Sequence, residues 1–315
     1  MIDNSGKRDI DWIKESLQTA IELEFSTIPL YLSSMFSLEV QNYTAYNLHR
    51  SVVMEEMVHM AIVCNMLAAI GGSPRIKSIQ VTYPVTGLPG GTEPDLVVGL
   101  APLSKEQLKN FMRIEMPEVL LSTLERNEGY PTISSFYKSI QDAIKANPDA
   151  IRAAIQKGGS ANQVGDDIGF STFRFSDQLD MVEALCSGID EIIEQGEGAS
   201  AQNLITNSEF ENEECHYAKF AALYYGAQYS QPTPTIKLTP QTEAMFFKGN
   251  AVGWPEVINT LAVPSDGYEK ILKLDANSEA VRKDLAAFDA TFSDLLLALD
   301  NAWNGPLAVS WKTLG

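Results

Sequence analysis

Three histidines and three cysteines are few for a chain of 315 residues. Cys64, Cys186 and Cys215 are odd in number and widely spaced, so neither a disulfide framework nor a Cys-rich zinc site is expected. Three buried free thiols in a reducing cytosol are predicted instead. Positive charge is scarce as well: 23 Lys and Arg face 41 Asp and Glu, a formal net charge of −18. Such a surface disfavours nucleic acid and anionic membranes as partners. No uninterrupted apolar run approaches the length that spans a bilayer. The N-terminus, MIDNSGKRDIDWIKESL, has no apolar stretch before a cleavage site, so a cytoplasmic location is expected. What is present, 45% apolar and 20% charged residues, is the composition of an ordinary globular protein with enough chain for a full core.

The scarce histidines are unevenly used. Two of the three fall in Glu-x-x-His units, Glu56-Met57-Val58-His59 and Glu213-Glu214-Cys215-His216. On a helix, residues three apart share a face one turn up, so a carboxylate and an imidazole can address the same ion. Two such helices, with one further Glu from each of two others, build a carboxylate-bridged di-iron or di-manganese site inside a four-helix bundle. The competing reading is a pair of solvated helix faces. The apolar residues that follow each unit, Met60 to Val63 and Phe220 to Leu223, argue against it. His49, beside Arg50 in a polar stretch, is expected at the surface.

The pattern along the chain predicts an all-α protein. Residues 10 to 39 read as one long helix, kinked at Pro29, which has no N–H for the carbonyl of Phe25. A short link leads to a second helix over about residues 44 to 70, stopped by Gly71-Gly72-Ser73-Pro74. A short link between long helices implies an antiparallel pair. Residues 72 to 103 form a long, mostly irregular crossover with one extended piece at Ile79, Val81 and Tyr83. Ser104 and Gln107 form a capping box opening a third helix to about Arg126. Two short helices broken at Pro148 are expected within 131–157, then helices over 177–194 and 207–229. A closing helix covers about 278–303, with Phe288, Phe292, Leu295, Leu296 and Leu299 on one stripe. The expected organisation is a bundle over residues 1–230, with an insertion at about 127–205, and an extension over 231–315 that packs on it.

The remaining donors are weighed by height along the helices. Glu24 stands 18 residues before a turn near residue 42 and Glu56 stands 14 after it, so they meet at similar heights. Glu22 lies about 3 Å further along the axis, at 1.5 Å per residue, and is the poorer match. An unpaired carboxylate on an apolar face is costly unless a cation compensates it. The third helix offers Glu115, placed 11 residues into its helix much as Glu56 is placed 12 into its own. Glu118 competes if Pro117 starts a helix, and Glu183 competes by its spacing of 30 residues from Glu213. Tyr31, two turns after Glu24, shares that face. It is a candidate to donate a hydrogen bond or an electron near the ions. A carboxylate-rich set without usable cysteines favours iron or manganese over zinc.

The segments LQTAIELEFSTIPLYLSSMFS and SVVMEEMVHMAIVCNMLAAIGGSPRI resemble the ferritin-like domain of the iminophenyl-pyruvate dimer synthase family. The pieces LPGG, FMRIEMPE, TISSFYKSI, EQGEG and ECHYAKF follow in that family's order, so the likeness spans roughly residues 10 to 225. The resemblance implies a ferritin-like four-helix bundle with two metal ions on Glu24, Glu56, His59, Glu115, Glu213 and His216. Iron is the first choice and manganese the alternative. Glu197, in the Gln-Gly-Glu-Gly turn, matches a family motif without an assigned role. Members that name the family take part in oxidative coupling of tryptophan-derived imines. The implied function is therefore an O₂-dependent oxidase or oxygenase of a small, amino-acid-derived molecule; a small homo-oligomer is a further expectation, with the oligomeric state left open. The alternatives are iron handling as a ferroxidase and a metal-free helical binding module.

Overall fold

The computed structural model describes residues 7–39, 43–121, 130–156, 163–165, 175, 180–198, 203–206, 213–232, 236–260, 272–273 and 278–305. Helix α1 spans Ile10–Phe36 and α2 spans Tyr43–Ala69. Asp9 opens α1 by accepting the backbone N–H groups of Asp11 and Trp12, a charged N-cap on two otherwise orphaned donors. The helix then runs unbroken through Pro29. Gly71, at φ +74°, closes α2: its N–H reaches the Ala68 carbonyl and that of Gly72 reaches Leu67, a left-handed cap that only glycine adopts without strain. Lys14 near the start of α1 bonds the Gly71 carbonyl and Gln18 bonds Arg75, so the two helices run antiparallel. They form the most extensive helix contact among the described residues.

The crossover is irregular as expected, but its paired strands lie elsewhere. Val85–Thr86 pairs antiparallel with Val97–Val98, in the register Val85 opposite Val98, whereas residues 79–83 join no strand. Helix α3 covers Lys105–Ile114, with Ser104 accepting the Gln107 N–H. It is much shorter than expected. Pro117 lacks an N–H and pushes Met116 out of helical space, so the helix ends with Glu115 as its cap and a single turn follows at Glu118–Leu120. The expected continuation beyond residue 121 lies outside the described residues.

Helices α4 (Ile133–Ala146) and α5 (Pro148–Gln156) divide at Pro148. Helix α6 spans Met181–Glu197 and α7 spans His216–Tyr225. Helices α6 and α7 both pack on α2, while α3 lies against α7 and α4 against α6 and α1. The last helix, α8 (Ser278–Asn304), docks mainly by its C-terminal end. There Asp300 accepts the Ile76 and Lys77 N–H groups and Trp303 donates to Asn65. Phe292, Leu296 and Leu299 touch the core, but Phe288 and Leu295 of the expected stripe are exposed.

The apolar core falls into two clusters along α1. One holds Leu17 to Ile28 with the C-terminal half of α2, α4 and α6; the other holds Leu30 to Leu38 with the N-terminal half of α2, α3 and α7. Between them lies a buried polar layer. His49 is buried against the second cluster, correcting the surface expectation. Helices α3 and α7 cover it with Phe111 and Phe220, whose rings lie 5.9 and 5.3 Å away. Burial lowers its pKa to about 3, so it packs as a neutral ring. All three cysteines are free and buried. Helix α2 is the one described helix long and apolar enough to cross a membrane. Since 78% of that apolar window is buried in the protein, it reads as a core helix.

Candidate metal centre

The polar layer is built from Glu24 on α1, Glu56 and His59 on α2, Glu115 at the cap of α3, and His216 at the first residue of α7; all five are buried. Each carboxylate commits one oxygen to a hydroxyl. Tyr137 donates to Glu24 Oε1, Thr27 to Glu56 Oε2 at 2.6 Å, and Tyr31 to Glu115 Oε1 at 2.5 Å. The other oxygen of each faces a histidine. Glu24 Oε2 is 3.6 Å from His59 Nδ1, Glu115 Oε2 is 3.6 Å from His216 Nδ1, and Glu56 Oε1 lies 3.9 and 2.8 Å from the two. The two imidazoles stack at 5.3 Å. Donor atoms of Glu56, His59 and His216 all come within 4.8 Å of one another.

Both rings therefore turn Nδ1 inward and bind outward through Nε2. His59 Nε2 meets Gln195 Oε1 at 2.7 Å, whereas His216 Nε2 meets Glu55 Oε2 at 2.9 Å. Behind Glu55 stands buried Lys219, 2.7 Å from Glu55 Oε1 and 3.2 Å from Glu213 Oε2. A histidine that ligates through one nitrogen is oriented by what the other nitrogen holds, and these contacts have that form.

Glu213 is the correction to the expected ligand set. Its side chain is 47% exposed and pairs with Lys219 instead of facing the cavity. The reason is local: α7 begins at His216, so Glu213 precedes the helix and the three-residue spacing no longer puts the pair on one face. Cys215 N–H bonds the Leu204 carbonyl and Thr206 N–H bonds that of Glu213, which holds this segment extended. Residues 207–212, the expected first part of that helix, lie outside the described residues. Glu118 and Glu183 are also placed away from the layer: Glu118 is half exposed and pairs with Lys138, and Glu183 is exposed in the first turn of α6. Glu22 turns away from the site and accepts from Gln18.

Electrostatics ask for cations here. Burial pushes Glu24 and Glu56 up to about 7, and the charge of Glu115 adds to both shifts. Burial lowers His59, leaving its lone pair available. Burial also pulls on His216, but the carboxylates of Glu115, Glu55 and Glu56 outweigh it and hold that ring well above its ordinary pKa. His216 Nδ1 nevertheless has no hydrogen bond of acceptable direction, although Glu56 Oε1 is 2.8 Å away. A hydrogen bond weakens steeply off-line, so the short distance alone does not satisfy this nitrogen. Three buried carboxylates, two inward nitrogens and no lysine or arginine among the cavity's lining residues suit two divalent ions.

Glu197 lines the same cavity as Glu24, Glu56, His59 and Glu115. It is buried at the end of α6, accepts from the Ser134 N–H at 3.1 Å and the Ser134 hydroxyl at 2.9 Å, and burial raises it to about 7. A cleft of about 340 Å³ adjoins this cavity and shares Ile193 and Glu197 with it. It is bounded by residues 117–119, Lys138 and Gln141 of α4, and the last turns of α6.

A family model described as Ferritin-like matches residues 17–225, about two thirds of the chain. The chain belongs to the ferritin-like family. Among solved structures, a ferritin-like protein from Caulobacter vibrioides is similar at TM-score 0.61 and 21% identity, over 94% of this chain and 88% of that one. At that identity the likeness shows the ferritin-like fold. No curated protein matches.

Several residues of this ferritin-like site were not singled out from the sequence. Thr27 lies one turn after Glu24, and the doubled acid Glu55-Glu56 was a legible hint to the partner of His216. Tyr137 carried no signal, because it reaches Glu24 from an inserted helix 113 residues away.

Proposed function

We propose that this ferritin-like protein is a di-metal oxidoreductase, with iron as the first choice and manganese as the alternative, that uses O₂ on a small organic molecule. The observation supporting it is the shared orientation of five buried donors: one oxygen each of Glu24, Glu56 and Glu115, and Nδ1 of both histidines. Glu24 and His59 would hold one ion, Glu115 and His216 the other, and Glu56, which faces both rings, would bridge. Held by these residues, two such ions would supply the redox chemistry for O₂ at a site shielded from water.

The chain's own part is positioning. Tyr137, Thr27 and Tyr31 each fix the outer oxygen of a carboxylate, so the inner oxygens are set before an ion arrives. Tyr31 sits between Phe111 and Phe220, which hold its ring while the hydroxyl binds Glu115. The adjoining cleft favours small-molecule chemistry over iron storage: about 340 Å³ is within the range of small-ligand pockets, and Glu197 and Ile193 line both it and the metal cavity.

Anaerobic loading with iron(II), followed by metal analysis and O₂ uptake, tests the reading. Two ions per chain and O₂ consumption accelerated by an organic co-substrate are expected. Two ions with O₂ uptake that stops once the iron is oxidised, whatever organic molecule is added, would favour ferroxidase chemistry. A chain that takes up no transition metal would reject the di-metal centre altogether.

A further inference from the structure

We propose that Glu197 is the sixth ligand of the metal centre, in the role that helical spacing assigns to Glu213. The inference rests on the di-metal reading above and departs from it in one residue.

The first argument is charge. Three inward carboxylates against two divalent ions and two neutral imidazoles leave one positive charge uncompensated in a buried cavity, which is unfavourable at low dielectric. A fourth carboxylate restores balance, and Glu213 cannot supply it from a half-exposed position paired with Lys219. Glu197 is the buried acid on the same cavity wall as Glu24, Glu56, His59 and Glu115.

The second argument is placement. Gln195, two residues earlier on α6, already touches His59 Nε2, so the last turn of this helix belongs to the centre. Gly196 lies between them, and a Cβ there would stand 3.4 Å from Glu115 Oε2. Glycine thus lets a ligand carboxylate from α3 close down on the turn that carries Glu197.

The third argument is a shared manner of support. Glu24, Glu56 and Glu115 are each steadied by a hydroxyl on one oxygen, and Glu197 accepts the Ser134 hydroxyl on Oε2, with the Ser134 N–H on its other oxygen, Oε1. The Glu118 backbone adds a third hydrogen bond; a carboxylate has about four lone-pair positions, so one is left for an ion. The rival account is that Glu197 only anchors the N-terminus of α4.

The two accounts separate on metal binding. Glu197→Gln retains the shape: its oxygen can still accept from the Ser134 N–H while its amide NH2 donates to the Ser134 hydroxyl oxygen, so an anchoring role is largely preserved while the charged donor is lost. Iron(II) and manganese(II) titrations against a competing chelator should show two ions in the wild type. In Glu197→Gln, one ion should weaken on the order of 10- to 100-fold or more. Glu213→Gln should keep both within about twofold, since outward polar contacts at an exposed site add little. Ser134→Ala, read by thermal melting and by the same titrations, removes only the hydroxyl part of the anchoring, because its N–H still reaches Glu197. Wild-type affinity in Glu197→Gln, or loss of an ion in Glu213→Gln, would overturn the assignment while leaving the di-metal reading intact. A wild type without metal would overturn both.

Discussion

The two histidines of the centre look alike from inside the cavity and differ behind it. His59 leans on neutral Gln195, itself bonded to Glu191 of the same helix. His216 leans on Glu55, whose charge is balanced by Lys219 and, beyond it, Glu213 at the surface. The hydrogen bond to His216 and the charges of His216 and Lys219 overcome burial and hold Glu55 down to about 2. An imidazole bonded to a carboxylate is the more basic donor, so the His216 half should bind its ion more tightly than the His59 half. The ligands alone would suggest two equivalent ions; the residues behind them make the centre unequal.

The most severe way to break the comparison is to remove what both halves share. Glu56→Ala deletes the carboxylate between the rings and should abolish tight binding of both ions, a loss of at least about 100-fold by chelator competition. His59→Ala and His216→Ala should each leave one ion, which metal analysis of purified variants can count. If Glu56→Ala retains two tight ions, the bridging arrangement is wrong.

How much of this was legible beforehand follows from local rules. Glu24, Glu56, His59 and Tyr31 lie on long uninterrupted helices, where spacing along the chain becomes height in the bundle. Their positions followed from counting residues. Glu115 was harder because the helix that carries it ends at Pro117, and cap geometry rather than helical periodicity turns it inward. Glu213 was misplaced because nothing in NSEFENEECHYAKF marks where the helix starts, and a spacing rule holds only inside a helix. The buried position of His49 depends on Phe111 and Phe220 from two other helices. Tyr137 and Gln195 are likewise tertiary, supplied by elements inserted between the bundle helices.

A milder change sharpens the inequality. Glu55→Gln keeps a hydrogen bond at His216 Nε2 but removes its charge, and should weaken the His216 ion about 10- to 100-fold. Gln195→Ala should weaken the His59 ion less, by a few-fold, because only a neutral contact is lost. Iron(II) binding isotherms that fit two separate affinities in the wild type should converge in Glu55→Gln. Equal losses in the two variants would remove the proposed asymmetry.

The smallest expected effect is on stability against pH, and its sign needs both kinds of group. Glu24, Glu56 and Glu197 have folded-state pKa values raised to about 7, so their contribution is present below the unfolded value and lost as pH rises through 7. His216, also raised, acts in the same direction at higher pH. His49 and His59, both lowered, act oppositely, but only while the unfolded chain still binds protons on histidine, below about pH 6.5. Between about pH 6.5 and 7.5 the carboxyls act with little opposition. Metal-stripped protein should therefore lose roughly several degrees of melting temperature across that unit. Metal-loaded protein should change little, because ions replace those protons at Glu24, Glu56 and Glu197, and iron(II) affinity should rise over the same window. A stripped protein whose melting temperature climbs from pH 6.5 to 7.5 would show that these carboxyls are not held protonated by burial, and would weaken the electrostatic case for a cation in both halves.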